Sequence, residues 1–155
     1  METPTLENLP PRAASAADVD PAAWEKVRDA FAEALGLEPD EVLFESKVIG
    51  ELGAESLDFL DIAFRLERAF DIRIPRGGIE QSARQGTGDE RYEVDGVLTE
   101  LALDSLAAIM PEVPRAELCP GLKAVQVPEL FRVGTFYNLV VFLADQKARG
   151  VVLPA

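Results

Sequence analysis

Between Trp24 and Leu35 the apolar residues Trp24, Val27, Phe31, Ala34 and Leu35 recur every three or four positions. That spacing lines one face of an α-helix. Asp20-Pro21 supplies an N-cap with proline in the first turn, and Gly36 supplies a stop, so a first helix is predicted from Pro21 to Leu35. A second run carries Leu57, Leu60 and Phe64, with Ala63, Leu66 and Phe70 on a neighbouring stripe. It predicts a helix from Glu55 or Ser56 to about Phe70 whose apolar face is wider than one seam. Asp71-Ile72-Arg73-Ile74-Pro75 should leave it in an extended exit, because the residue before a proline avoids the helical region. The connection from Leu37 to Ala54 is punctuated by Pro39 and by Gly50-Glu51-Leu52-Gly53. Its apolar residues Val42, Phe44, Val48 and Leu52 predict that it packs on the helices.

Near the other end, Phe136, Leu139, Val140 and Leu143 line a last helix that Thr135 could cap. Lys147 and Arg149 suit its negative C-terminal pole before Gly150. Between Arg76 and Pro128 the pattern changes. Gly77 to Gly88 is polar, matches no nucleotide-binding motif and reads as a linker. Val97, Leu98, Leu101, Ala102, Leu106 and Ile109 then predict a helix from Val97 to Met110, stopped by Pro111. A structureless loop of this length inside a compact domain would be improbable. The apolar face of that helix must be covered, either by packing on the bundle or by bordering the interior between the second and last helices. Residues 1–20 lack helical periodicity and read as a mobile tail. No repeat is present.

Composition narrows the classes of function. The chain has 155 residues, 48% of them hydrophobic, 28% charged, and a formal net charge of −13. Such a surface repels nucleic acid and anionic membranes and attracts partners with Arg/Lys patches. With no histidine and a single cysteine, Cys119, Ser-His-Asp and Cys-His catalysis and His/Cys zinc sites are excluded. Cys119 cannot close an intramolecular disulfide, which suits a reducing compartment, and it reads as a small buried hydrophobe. The N-terminus lacks a signal-peptide pattern. The longest apolar stretch, Phe136 to Ala144, falls short of the roughly 20 residues that span a bilayer. A cytoplasmic location is expected.

Candidate chemistry concentrates in Leu52-Gly53-Ala54-Glu55-Ser56-Leu57-Asp58. A serine at a helix start is usually only a cap. Here the positive helix pole and its free N–H groups would also favour a phosphodiester on Ser56 Oγ. Gly53 gives the chain freedom to turn and room for close approach. Glu55 and Asp58 flank the site with carboxylates that a basic enzyme could grip.

From Leu35 to Pro75 the sequence resembles an acyl carrier protein without a gap. Leu35-Gly36, Glu41-Val42, the Ser56 segment, Leu66-Glu67 and Phe70-Asp71-Ile72-Arg73-Ile74-Pro75 stand in that family's order and spacing. The likeness resumes loosely from Leu130 to Leu143, where Leu130-Phe131-Arg132-Val133 looks like the family's short third helix. The resemblance implies an all-α fold: an acyl-carrier-like four-helix bundle with an inserted helical segment. The layout would be a tail over 1–20, two helices over 21–75, an insertion over 76–128 with one helix, and C-terminal helices over 129–155. It also implies a 4'-phosphopantetheine arm, placed on Ser56 from coenzyme A by a phosphopantetheinyl transferase, and no catalysis by the chain itself. The arm's thiol would hold acyl groups as thioesters. Glu55, Leu57, Asp58, Asp61, Phe64 and Glu67 would dock on basic patches of acyl-transferring and chain-modifying enzymes of lipid or fatty-acid biosynthesis. Neither nucleic acid nor a membrane span is expected.

Three departures stand out. Glu55 replaces the family's commoner Asp, keeping the charge but lengthening the reach. Arg65 and Arg68 put positive charge on a usually acidic helix. The insertion, with them, suggests a dedicated pathway. Leu103-Asp104-Ser105-Leu106 repeats the Asp-Ser-Leu triplet, but in mid-helix and without a preceding glycine, so Ser105 is not expected to be an attachment site. A polyketide or nonribosomal peptide carrier, or an unmodified acidic interaction module, stays open as an alternative. Acid–base chemistry by paired carboxylates finds no nucleophile–base arrangement beside it.

Overall fold

The computed structural model describes residues 13–74, 92–148 and 150. Three long helices form the frame: α1 (Pro21–Leu35), α2 (Ser56–Phe70) and α4 (Val133–Ala148), with a shorter α3 (Glu100–Ile109) and a hairpin of β1 (Glu93–Val94) and β2 (Val97–Leu98) between α2 and α4. The fold is mostly helical and belongs to the all-α class. The start of α1 is as the pattern predicts: the Asp20 carboxylate accepts from Ala23 N–H at 3.0 Å behind Pro21. At its other end Gly36, at φ 68°, closes the helix in the left-handed conformation. α2 spans the predicted range and ends on Asp71, also left-handed. Lys147 of α4 donates to both the backbone and the side-chain oxygen of Asp71.

Val27 and Phe31 of α1, Ile62 and Leu66 of α2, and Val133 and Val140 of α4 are all fully buried. The long connection packs on them as expected, with Val42, Phe44 and Val48 buried and Leu52 partly so. Residues 44–48 run beside the start of α4: Val48 N–H donates to Phe131 O, Val133 N–H to Ser46 O and Gly134 N–H to Phe44 O. Gly134 is required there. A Cβ on it would lie 2.5 Å from the Phe44 ring, which is itself wedged between Trp24 and Tyr137 at 6.1 Å from each.

Several expectations change. Val97 and Leu98 do not begin a helix, because Asp95-Gly96 turns the chain with positive φ at both residues (52° and 82°) and pairs Val94 with Val97. That turn is a type favoured in two-residue hairpins. The helix starts only at Glu100, where the Thr99 hydroxyl accepts from Ala102 N–H. Its face Ala102, Leu103 and Leu106 joins the common core. Leu130-Phe131-Arg132-Val133 is not the short third helix either. A 3-10 helix runs from Ala124 to Leu130, Phe131 is extended, Arg132 bridges to Lys47, and Val133 opens α4. Thr135 therefore lies inside α4, its hydroxyl accepting from Arg132 N–H. Cys119 is exposed. It follows the buried Leu118, whose position in a short turn directs the next side chain outward.

The expected tail is anchored from Ala13 onward; residues 1–12 lie outside the described residues. Ala13 is buried and exchanges two hydrogen bonds with Asn138, its N–H donating to Oδ1 and its carbonyl accepting from Nδ2. Asp20 N–H donates to the Tyr137 hydroxyl at 2.7 Å. The linker expected at Gly77 to Gly88 and the end of the predicted extended exit at Pro75 also lie outside the described residues. Ile72 to Ile74 is described as non-helical, and Ile74 N–H donates to the Glu67 carboxylate.

Candidate functional site

Ser56 is the first residue of α2, after a left-handed Gly53 (φ 72°) and a buried Ala54. Two interactions fix this entry. Ala54 N–H donates to Val48 O, tying the turn to the core loop, and the Asp58 carboxylate accepts from Glu55 N–H at 2.8 Å. The helix start is thus capped by neighbours of Ser56 rather than by Ser56. Its side chain is exposed and makes no hydrogen bond among the described residues. A free hydroxyl at the positive pole of a fifteen-residue helix fits a phosphodiester on both steric and electrostatic grounds.

Around Ser56 the face of α2 splits in a way periodicity did not anticipate. Leu57, Leu60 and Phe64, expected in an apolar face, are 78%, 53% and 62% exposed. Ile62 and Leu66 take the core side instead, since α1 and α4 both pack on that side. Glu55 is exposed and Asp58 partly so, both at the start of α2 beside Ser56.

Asp61 and Glu67 are engaged within the chain. Asp61 accepts from Arg65 Nε at 2.9 Å, and the same guanidinium reaches Glu33 of α1 at 2.8 Å. Arg65 is thereby neutralised against α1. Glu67 accepts Ile74 N–H. Arg68 is exposed. The second serine, Ser105, lies partly buried between Leu103 and Leu106 in the middle of α3.

Outside this surface, a polar cluster that the sequence did not reveal joins the segment after α3 to α4. Arg132, 5% exposed, donates to Glu117 and to Leu130 O, and Lys47 also pairs with Glu117 at 3.3 Å. Burial alone would raise the Glu117 carboxyl, but the hydrogen bonds and charges of Arg132 and Lys47 outweigh it and hold the group below the usual range. Glu112 accepts from the Thr135 hydroxyl and from Asn138 Nδ2, both at 2.8 Å. Among the described residues no group of His, Cys, Asp and Glu could hold a metal ion, and no helix is long and apolar enough to cross a membrane.

Comparison with known proteins bears on the family of the chain. The family model described as "Phosphopantetheine attachment site" matches residues 25–81, a span containing Ser56. The chain is 42% identical over 60 residues to the acyl carrier protein of Campylobacter concisus, covering 39% of this chain and 78% of that protein. It is 40% identical over 63 residues to that of Clostridium acetobutylicum, covering 41% and 82%. The chain belongs to the acyl carrier protein family. A further relative, acyl carrier protein AcpXL of Brucella melitensis, is 41% identical over 63 residues, 41% of this chain and 68% of the relative. No solved structure matches the chain.

An acyl carrier protein bears a covalently attached 4'-phosphopantetheine, and so does this chain. The arm supplies a terminal thiol on which acyl groups are held as thioesters. At the α2 pole this chain has an exposed Ser56, with exposed acidic and apolar side chains in the adjoining turns.

Proposed function

We propose that Ser56 carries the arm and that the protein delivers acyl intermediates to enzymes of lipid or fatty-acid biosynthesis without catalysing a step itself. The observation that carries the assignment is the exposed Ser56 hydroxyl at the open pole of α2, while Ser105 sits within a helix. In the loading reaction the Ser56 oxygen would attack the phosphate next to the pantetheine of coenzyme A. The bond to the nucleotide phosphate breaks, and the hydroxyl proton passes to a base of the phosphopantetheinyl transferase. Support for docking comes from Glu55, Leu57 and Phe64, which are exposed, and from Asp58, which is partly so, all at the start of α2 or in its first turns. A partner with a basic rim and an apolar floor fits these side chains. The layout that goes with this reading has residues 76–128 as an insertion between the two halves of the carrier fold, and a cytoplasmic location accords with the unpaired Cys119.

Incubation with coenzyme A and a broad-specificity transferase should add one phosphopantetheine by intact mass. Ser56→Ala should abolish the addition and Ser105→Ala should leave it complete. Full modification of the Ser56→Ala protein would end the assignment. Mass analysis of the protein from its native host, with cargo attached, identifies the pathway.

A further inference from the structure

The exposed face of α2 changes character along its length. Leu57, Leu60 and Phe64 are open to solvent, and Arg68, exposed as well, comes next. Residues three or four apart are neighbours on a helix, so these four follow one another along one outward face. Two carboxylates, Glu55 and Asp58, stand at its Ser56 end. At the far end the charge is reversed. Arg68 and Arg73 are exposed and enter no ion pair among the described residues. The acids beside them are already engaged: Glu67 accepts Ile74 N–H, and Asp71 pairs with Lys147 at 2.8 Å. Arg65 differs from Arg68, because Asp61 and Glu33 hold it at 2.9 and 2.8 Å. From Ser56 to Arg68 the helix rises by about 18 Å.

We propose that a partner enzyme takes α2 lengthwise with a carboxylate of its own set against Arg68, and that Arg68 turns away enzymes whose docking face is basic throughout. The inference rests on the reading that α2 docks and presents the arm at Ser56. A partner that covers Leu57, Leu60 and Phe64 runs along the face and is brought up against Arg68. Screening then separates the two ends. At physiological ionic strength the Debye length is about 8 Å, less than half the length of the face. Attraction at Glu55 and Asp58 therefore does not offset repulsion at Arg68, and each end has to be matched by itself. Arg68 also suits the negative C-terminal pole of α2, but that role bears on helix stability and leaves the choice of partner untouched.

The test uses the full-length holo-protein, its arm verified by mass, and an acyltransferase chosen for a docking face that is basic along its whole length. A variant of that enzyme carries glutamate in place of the basic residue farthest from the entrance for the arm. Transfer, as kcat/KM, is measured for the wild-type carrier and for Arg68→Glu with each enzyme. Arg68→Glu should exceed the wild type by up to about fivefold with the basic enzyme, and the order should reverse with the enzyme variant. Both differences should shrink as salt rises. Lys123→Glu, at an exposed position before α4, changes the net charge equally and should leave every rate unchanged. The same ratio with both enzymes would mean that Arg68 serves only the helix pole, and overturns the proposal. An equal response to Lys123→Glu overturns it too, since net charge would then govern transfer. Should Arg68→Glu fail to fold, Arg68→Gln should show the same reversal at smaller amplitude. Failure to gain the arm by mass would instead sink the Ser56 assignment, and this inference with it.

Discussion

The segment from α1 to α2 and the segment from β1 to Leu130 share one core, yet they are built differently. The first consists of two fifteen-residue helices that press long apolar faces together, with Val27, Phe31, Ile62 and Leu66 all sealed from solvent. The second is a chain of short pieces: two-residue strands, a ten-residue helix and two 3-10 helices. No piece of that length is stable by its own hydrogen bonds, so side chains tie the pieces down one by one. Arg115 donates to Leu103 O, Leu118 O and the Asp104 carboxylate. Arg132 and Lys47 hold Glu117, and Thr135 and Asn138 hold Glu112. Long faces give a scaffold whose parts rise and fall together. Point attachments give a segment that single substitutions can loosen.

Truncating the shared scaffold should have the largest effect. Phe31 is fully buried and packs edge-on against Phe136 at 5.4 Å. Phe31→Ala should cost about 3–5 kcal/mol, measured by urea unfolding. Both segments should lose protection from amide exchange together. If residues 100–118 kept native protection while α1 and α2 exchanged, the two segments would not share a core.

Arg132→Met should come next, at about 2–3 kcal/mol, because it leaves Glu117 partly buried without its closer cation. Here the loss should be local. Amide exchange should accelerate first in residues 110–123, with α1 and α2 following only at the global rate. Uniform acceleration would show that the ion pair supports the scaffold and not the attachment.

That contrast also explains what could be read from the sequence. α1 and α2 were legible because helical periodicity and the start and stop residues marked their bounds, Pro21 to Leu35 and Ser56 to Phe70. The Ser56 segment was legible because its neighbours were contiguous. Which apolar stripe of α2 would face inward was not, since Leu57, Leu60 and Phe64 have the same spacing as a core face. Only the placement of α1 and α4 decides between the stripes. Asp95-Gly96 is a dipeptide that favours hairpins, a signal the sequence reading missed. Glu117 with Arg132 and Glu112 with Asn138 join residues 15 and 26 positions apart, and no local pattern announces such pairs. Asp61 and Glu67 looked like docking acids. The i,i+4 spacing of Asp61 and Arg65 announces their pair, but the reach of Arg65 to Glu33 and the Ile74 N–H bond to Glu67 are visible only in three dimensions.

The smallest effect expected is a dependence on pH. Glu117 titrates below an ordinary glutamate in the folded chain, where Arg132 and Lys47 outweigh the cost of its burial. A carboxyl whose folded pKa is depressed contributes stability that is present above its unfolded pKa and lost as pH falls through the folded one. Glu117→Gln removes that contribution. The wild type should therefore exceed the variant in urea midpoint at neutral pH, and the gap should narrow as pH drops below the usual glutamate range. For a pair that is still partly exposed, the ionic share of the gap should be no more than about 1 kcal/mol. Asp71, also depressed through its hydrogen bond to Lys147 and that residue's charge, titrates in both proteins and cancels from the comparison. A gap that stayed constant down to the acid transition would mean that Glu117 acts by shape and hydrogen bonding alone. The segment would then be attached without help from ionic charge at this point, and the contrast with the scaffold would rest on Glu112 and Arg115.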